Sequence, residues 1–373
     1  MEKRSMETQL VQLGNRSDAA TGAVNPPIYL STAYEHQGLG KSTGYDYTRT
    51  KNPTRTILEE GIAKLEGGDA GFACSSGMAA IQLILSLFRP DDELLVPKDV
   101  YGGTYRLLGH FSETYNIRTT YADFENIAAT EQKISANTRA LFIETPTNPL
   151  MQEFDIAAYA ELTKKHNLLF IVDNTFLTPY LQQPLQLGAD IVLHSATKYI
   201  GGHNDVLAGL VVAKGEGICA KLNVMHNAAG AVLSPFDSWL LVRGLKTLPL
   251  RMRQHEENAK KIADFLQNEP VITDVFYPGK GGMVSFHLKK AEWVDIFLSN
   301  LSLIAFAESL GGVESFITYP ATQTHAEIPY KERMERGICD QLLRFSVGIE
   351  QVEDLINDLK QAFATFEKEA LLL

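Results

Sequence analysis

Short apolar runs recur along the chain and are separated by stretches in which apolar positions return every three or four residues. Glu93-Leu94-Leu95-Val96, Ala140-Leu141-Phe142-Ile143-Glu144, Leu168-Leu169-Phe170-Ile171-Val172, Ile191-Val192-Leu193 and residues 207–213 read as strands. Their apolar positions are continuous rather than alternating, as a strand covered on both faces requires. Residues 54–65, 79–88, a segment opening at Tyr101 and 155–166 read as helices between them. Strands alternating with helices predict an α/β fold with a mostly parallel central sheet. In such sheets ligands sit at the carboxyl ends of the strands. Beyond residue 234 the pattern changes. A long helix over 239–261 carries Arg243, Lys246, Arg251, Arg253, Lys260 and Lys261, a basic face read as solvated, and bridges into a second domain. Strands over 283–288, 316–318 and 342–347, and an amphipathic helix over 352–366, predict that this second domain is a smaller α+β unit. Residues 1–45 are rich in Gly, Thr, Ser and Pro, broken at Asn25-Pro26-Pro27, and are expected to form an arm lying on a partner subunit or another domain. The expected organisation is an arm at 1–45, a large domain at 46–240 and a C-terminal domain at 241–373.

Composition narrows the class. The 373 residues are 45% hydrophobic and 21% charged, an ordinary globular balance with ample core. A net charge of -11 argues against nucleic acid as a partner and for small molecules. Cys74, Cys219 and Cys339 are scattered, with no CxxC pair and no close pair of histidines, so no metal site is expected and a reducing compartment fits. No apolar segment follows Met1–Glu7, and the strongest apolar run, near 81–88, is too short to span a bilayer. A cytoplasmic location with no membrane contact is the expectation.

The chemistry concentrates where the predicted strands end. Ile191-Val192-Leu193 leads into His194-Ser195-Ala196-Thr197-Lys198-Tyr199 and Gly201-Gly202-His203. A lysine just past a buried strand is poorly solvated; its pKa falls, and the neutral amine can condense with an aldehyde. The alternative is an ordinary surface lysine. Tyr101, Asn148, Asp173, Ser195 and Thr197 fall at or just past strand ends too, which favours the first reading. Small residues at Ser75-Ser76-Gly77-Met78 open a helix whose free amides suit a phosphate. Tyr47 and Arg49, two apart in extended chain, point the same way and could reach one anion. Pyridoxal phosphate needs such a set: a lysine for its aldehyde, donors for its phosphate, an acid at its ring nitrogen and a partner for its ring face. Asp173 suits the acid and Tyr101 the stacking ring. Two decoys compete. Gly38-Leu39-Gly40-Lys41-Ser42 imitates a nucleotide loop but has Glu35 where a glycine is needed. Ala73-Cys74-Ser75-Ser76-Gly77 imitates a serine-hydrolase elbow with its first glycine replaced.

The stretch Ser195-Ala196-Thr197-Lys198-Tyr199 with Gly201-Gly202-His203 resembles the signature of the Cys/Met-metabolism family of pyridoxal-phosphate enzymes, and the similarity runs from Tyr47 to Val352. It implies the fold-type I, aspartate-aminotransferase-like architecture. It implies Lys198 as the lysine bonded to the cofactor, Asp173 at the pyridine nitrogen, and Tyr101 as stacking ring and acid/base helper. Gly77 and Met78 amides with Ser195 and Thr197 would hold the phosphate. Tyr47 and Arg49 would reach it across a subunit boundary, so that active sites are shared in a dimer, usually paired into a homotetramer. Arg344 resembles the arginine that forks onto the substrate carboxylate, supported by Asn148 and Ser309. Glu308 resembles the γ-acting enzymes of the family, and Asp46 and Arg106 resemble cystathionine γ-synthases. The resemblance therefore implies γ-replacement on an O-acylhomoserine (acetyl or succinyl), with cysteine giving cystathionine and sulfide giving homocysteine; the alternative is a cystathionine γ- or β-lyase.

Overall fold

The computed structural model describes residues 4–366, so Met1–Lys3 of the arm and residues 367–373 of the C-terminal segment lie outside the described residues. Strands β1 (Ala70–Cys74), β2 (Glu93–Pro97), β3 (Arg118–Ala122), β4 (Thr138–Glu144), β5 (Leu169–Asp173), β6 (Ile191–Ser195) and β7 (Gly209–Ala213) form one sheet in the order β1-β7-β6-β5-β4-β2-β3. β6, β5, β4, β2 and β3 pair parallel; β7 runs against both its neighbours. Side chains alternate between the faces of a strand. Leu141, Ile143, Phe170, Val172 and Val192 enter one core, whereas Ala140, Phe142, Ile171, Ile191 and Leu193 enter the other. Helices cover both faces, which is why these strands read as unbroken apolar runs.

Local signals set the helix starts. Asn52 accepts from the Thr54 and Arg55 amides ahead of Pro53–Glu66, and Asp155 accepts from Ala158 N ahead of Ile156–His166. The helix after β1 runs Gly77–Leu85, two residues earlier than its apolar pattern predicts, because Ser76 caps it through Ala79 N at 3.0 Å. Edge strand β3, with the sequence Arg-Thr-Thr-Tyr-Ala, and the helix Glu216–Ala229 carried too little apolar patterning to be foreseen. The strand expected from Leu207 begins at Gly209, and Leu207 is exposed.

A second sheet, ordered β10-β11-β12-β9-β8, contains β8 (Ile272–Phe276), β9 (Met283–Leu288), β10 (Ala305–Phe306), β11 (Phe316–Thr318) and β12 (Leu342–Ser346). It packs against the helix Val352–Phe363 around a third core. The helix Pro235–Gln267 joins the two sheets. At 33 residues it is about 50 Å long. Leu241, Leu245, Leu248 and Met252 pack into a core of the first sheet, and Ala259, Ile262 and Leu266 into that of the second. The expected boundary at 240/241 falls inside this helix. Two expectations change here. The arm is not wholly coreless: Leu10, in the short helix Met6–Val11, is fully buried, and Lys246 and Trp239 of the long helix bond Asn15 and Pro26 of the arm. And Arg251 does not belong to a solvated face. It is buried, and it donates to the carbonyls of Tyr199 (2.6 Å) and Gly244 (2.8 Å), so that the long helix grips the turn carrying Lys198.

Candidate active site

A cavity of about 320 Å³ opens at the carboxyl ends of β4, β5 and β6 and is closed from the other side by Arg344 of β12 and by the loops carrying residues 308–310 and Thr324. It gathers Gly77, Met78, Tyr101, Asn148, Asp173, Ser195, Thr197, Lys198, Glu308, Ser309 and Arg344. These are most of the residues singled out above.

Lys198 stands in the turn after β6, where its amide bonds Ser195 O at 3.2 Å and its carbonyl accepts from Gly202 N at 2.8 Å. Its Nζ donates to Ser309 Oγ at 3.2 Å. Burial, with the charge of Arg344 nearby, pushes the amine down to about 8, against a partial opposing pull from Glu308. Asp173 ends β5. Its Oδ1 accepts from Thr175 N at 3.0 Å and Thr175 Oγ1 at 2.5 Å, and burial raises its pKa. Glu144 ends β4 and pairs with Asp173 in the parallel register, so two carboxyl groups lie side by side. Burial first, and the charge of Asp173 second, drive Glu144 well above the carboxylate range, and it accepts the Tyr101 amide at 3.1 Å. The Tyr101 phenol is itself raised by burial and by Glu308, so at neutral pH it holds its proton and acts as a donor.

The Gly77–Leu85 helix aims its amino end at the cavity. Its first intrahelical bond runs from Ala80 N to Ser76 O, so the amides of Gly77 and Met78 precede the ladder. A Cβ on Gly77 would sit 3.0 Å from Ser195 Cβ and Oγ, so a larger residue there would press this helix off β6 by a few tenths of an ångström. Ser195 N donates to Thr175 Oγ1 at 2.8 Å. Thr197 spends its hydroxyl on the Ala208 backbone, donating to O at 3.2 Å and accepting from N at 3.0 Å.

Arg344 projects from the middle strand of the second sheet and is 2% exposed. Nη1 donates to Asn148 Oδ1 at 2.8 Å; Nη2 donates to Ser309 O at 3.1 Å and Thr318 Oγ1 at 3.0 Å. Its Nε is buried without a partner, and no carboxylate among the described residues forms an ion pair with it. Burial pushes the guanidinium down to about 10. A buried cation with an orphaned N–H calls for an anionic ligand.

Four residues named for the site stand apart from the cavity. Arg49 is exposed and bonds Asn227 through O (2.5 Å) and Oδ1 (3.0 Å), with Tyr47 exposed beside it. Asp46 pairs with His36 at 2.9 Å. Arg106 does not line the cavity and is held in an ion pair with Glu327. Ser75, the decoy nucleophile, is likewise exposed and does not line the cavity, and nearby His226 spends Nε2 on Ala73 O at 2.9 Å. Sequence reasoning overlooked Glu144, Thr175, Thr318 and Arg251. Glu144 did carry a signal, since it is an acid closing a buried strand as Asp173 does. Thr318 and Arg251 support the site by contacts between segments distant in sequence, and Thr175 bonds Asp173 two residues before it; no apolar pattern marks any of the three.

The cavity fits pyridoxal phosphate on its own geometry. A low-basicity amine, an enclosed acid, and open amides at a helix start surround one space, with an unneutralised guanidinium for a substrate carboxylate. Comparison with known proteins agrees. The chain matches the family described as Cys/Met metabolism PLP-dependent enzyme over residues 7–364. It is 60% identical over 367 residues to cystathionine gamma-synthase of Haemophilus influenzae, covering 98% of this chain and 100% of that one. It is 61% identical over 366 residues to cystathionine gamma-synthase/O-acetylhomoserine (thiol)-lyase of Bacillus subtilis, covering 98% of each. A crystal structure of cystathionine gamma synthase from Xanthomonas oryzae pv. oryzae, in complex with aminoacrylate and cysteine, superposes with a TM-score of 0.96 at 42% identity, over 98% of this chain and 99% of that one. The chain belongs to the Cys/Met metabolism PLP-dependent enzymes, of fold type I, and its cofactor is pyridoxal 5′-phosphate.

Proposed function

We propose that the protein catalyses γ-replacement on an O-acylhomoserine, with cysteine as the thiol giving cystathionine and sulfide as a second thiol giving homocysteine, in methionine biosynthesis by transsulfuration. The similarity to cystathionine gamma-synthases at 60% and 61% identity supports this. The observation that carries it is the pairing of Lys198 and Arg344 on one residue: Lys198 Nζ meets Ser309 Oγ and Arg344 Nη2 meets Ser309 O. Amine chemistry and carboxylate recognition are thus held a single residue apart, as an α-amino acid requires.

When bound, pyridoxal phosphate supplies an aldehyde for the substrate amine and a ring that withdraws electrons from the substrate's Cα. Asp173 would face the ring nitrogen and keep its proton, and Tyr101 would cover the ring. The amides of Gly77 and Met78, with Ser195 and Thr197, would hold the phosphate. Arg344, fixed by Asn148, Ser309 O and Thr318, would grip the substrate carboxylate and orient the Cα–H bond toward Lys198. Lys198 Nζ would then carry protons between Cα and Cβ. With its pKa near 8, roughly a tenth of it is neutral at pH 7, on the order of several hundred times the fraction in an ordinary lysine. Overall the Cγ–O bond breaks, the Cγ–S bond forms, and the thiol loses one proton.

The same reading divides the chain into an arm at 1–45, a cofactor-binding domain at 46–240 and a C-terminal domain at 241–373. The exposure of Tyr47 and Arg49 in the single chain supports an assembly in which they enter a neighbour's cavity, hence a dimer with shared sites, paired into a homotetramer. Among the described residues no helix is long and apolar enough to cross a membrane, which is compatible with a cytoplasmic enzyme.

The deciding assay supplies O-acetylhomoserine with cysteine, and cystathionine alone, to the purified holoenzyme. Cystathionine should accumulate in the first. If only the second reaction runs, the protein is a lyase and the synthetic reading fails.

A further inference from the structure

Behind the cavity lies a polar cluster to which the chemistry above gives no part. Glu66, Asn174 and His194 are all fully buried. They come from three segments. Glu66 ends the helix Pro53–Glu66, Asn174 follows Asp173 at the end of β5, and His194 stands in β6 next to Leu193, the register partner of Asp173.

Both nitrogens of His194 are engaged: Nδ1 lies 3.1 Å from Asn174 O, and Nε2 lies 2.7 Å from Glu66 Oε1. A carbonyl oxygen can only accept, so Nδ1 donates. Glu66 Oε1 also takes the side-chain amide of Asn174 at 3.3 Å. That amide cannot be turned over, because its nitrogen donates to Gln182 O at 2.8 Å and its oxygen accepts from Gln182 Nε2 at 3.0 Å. Two nitrogens thus converge on Oε1, which marks it as the acceptor, and Nε2 donates too. Only the imidazolium donates from both nitrogens. Glu66 Oε2 is buried without a partner, so this carboxylate depends on a cation beside it. The carboxyl end of the helix that Glu66 closes adds partial negative charge, which favours the same cation.

The position of this charge matters to the floor. Asp173 and Glu144 are register partners and both acids, and among the described residues lining the cavity the only cations are Lys198 and Arg344. Burial raises Asp173; its bonds to Thr175 and then the charge of His194 work the other way. Apolar side chains of equal volume would fill the space behind β6 at no loss of stability, since an enclosed ion pair gains little over them. The pair is of use for the charge it holds.

We propose that His194 is a positioning residue, held as an imidazolium by Glu66 so that Asp173 remains a carboxylate beside Glu144 and keeps the cofactor's ring nitrogen protonated; this rests on the reading that Asp173 faces that nitrogen, and adds what sustains it.

A neutron structure of the perdeuterated holoenzyme at about pH 8, where an ordinary histidine is neutral, locates the protons directly. Deuterium is expected on both nitrogens of His194 and on the cofactor's ring nitrogen, with none on Glu66 or Asp173. One bare nitrogen on His194, or a deuteron on Glu66 or Asp173, overturns the proposal and leaves the placing of Asp173 intact. An Asp173 turned away from the ring nitrogen overturns that placing, and the proposal falls with it. In solution, Glu66→Gln keeps the shape and removes the anion. Its kcat should fall by about ten- to a hundredfold, the change in proton occupancy that one nearby opposite charge produces, with substrate KM and cofactor affinity within about threefold of wild type. Reconstituted with pyridoxal phosphate carrying ¹⁵N in the ring, the variant should show that nitrogen's signal moved to its unprotonated position. An unmoved signal, or a loss of cofactor affinity as large as the loss in kcat, would describe a purely structural pair and overturns the proposal. Should Glu66→Gln not fold, the neutron map of the wild type decides alone.

Discussion

The floor of the cavity and its rim are built differently. On the floor, Asp173, Ser195 and Lys198 are fixed by the ends of β5 and β6, and Arg344 by β12. Each is held by bonds within the buried floor, most of them to segments far away in sequence, and Arg251 locks the Lys198 turn from behind. At the rim and beyond it, Glu308 at the cavity mouth and Asp46, Tyr47, Arg49 and Arg106 apart from it are exposed, and three of them bond whatever is at hand in the same chain: His36, Asn227 and Glu327. A buried polar group without its partners costs free energy, so the floor can exist in only one arrangement. An exposed ion pair is worth about 0–1 kcal/mol, so the rim can exchange partners when a neighbour or a substrate arrives. On this comparison, chemistry belongs to the floor and selection among substrates to the rim. Substitutions on the floor should therefore be severe and should not depend on the ester; those at the rim should be mild and should.

The largest effect is expected for Lys198→Ala. It should abolish the visible cofactor band and lower kcat by about 10⁴-fold, the upper end for removing a general base. Retention of more than about a hundredth of the activity would mean that another group moves the protons. Next comes Arg344→Lys, which keeps charge but loses the fork. Nη1 and Nη2 make three bonds that an ammonium cannot reproduce together. We expect kcat/KM to fall by about 10²- to 10³-fold for either ester, equivalent to roughly 3–4 kcal/mol. Should the acetyl and succinyl esters suffer differently, Arg344 contacts the acyl end and the division between floor and rim is misplaced.

The same division governs what the sequence could reveal. The floor was readable because burial leaves a mark in the letters. Unbroken apolar runs locate β4, β5 and β6, and a charged or hydroxyl residue just past such a run stands out, as Asp173 and Lys198 do. Tertiary contacts leave no such mark. Arg251 sits among five other basic residues of one helix and looked no different from them; only the crossing of that helix over the Lys198 turn makes it a structural cation. The antiparallel course of β7 escaped for a related reason, because an apolar run has no direction. Rim residues such as Asp46 and Arg106 were identified by resemblance alone. Their own surroundings, polar and exposed, fit a solvated loop equally well.

A finer test of the floor uses pH. Burial holds the Lys198 amine down to about 8 in the cofactor-free protein. Only the neutral amine condenses with an aldehyde, so the rate of pyridoxal phosphate uptake by apoprotein should rise with pH. Between about pH 6.5 and 8 the neutral fraction climbs about 15-fold, and from about 8 to 9 by less than about twofold. A stopped-flow record of the growing visible band against pH reads this directly. A rate still rising about tenfold per unit near pH 9 would describe an ordinary solvated lysine, and Lys198 would then not belong to a desolvated floor.

The mildest test falls on the rim. In the single chain the exposed Arg49 guanidinium bonds Asn227 and lies over the exposed Tyr47 ring, so Arg49→Ala should leave the melting temperature of the apoprotein within about 1 °C of wild type. If the residue instead reaches the phosphate in a neighbouring copy, cofactor affinity should drop by about tenfold, the lower range for one charge-assisted hydrogen bond. Mixing Arg49→Ala chains with Lys198→Ala chains separates the two sources of the residue. Shared sites would restore some complete cavities, each with Lys198 from one copy and Arg49 from the other, and tight cofactor binding would return to a fraction of the sites. No recovery on mixing, with subunit exchange verified by mass, would place Arg49 in its own chain's cavity or nowhere near one. The rim would then be as fixed as the floor.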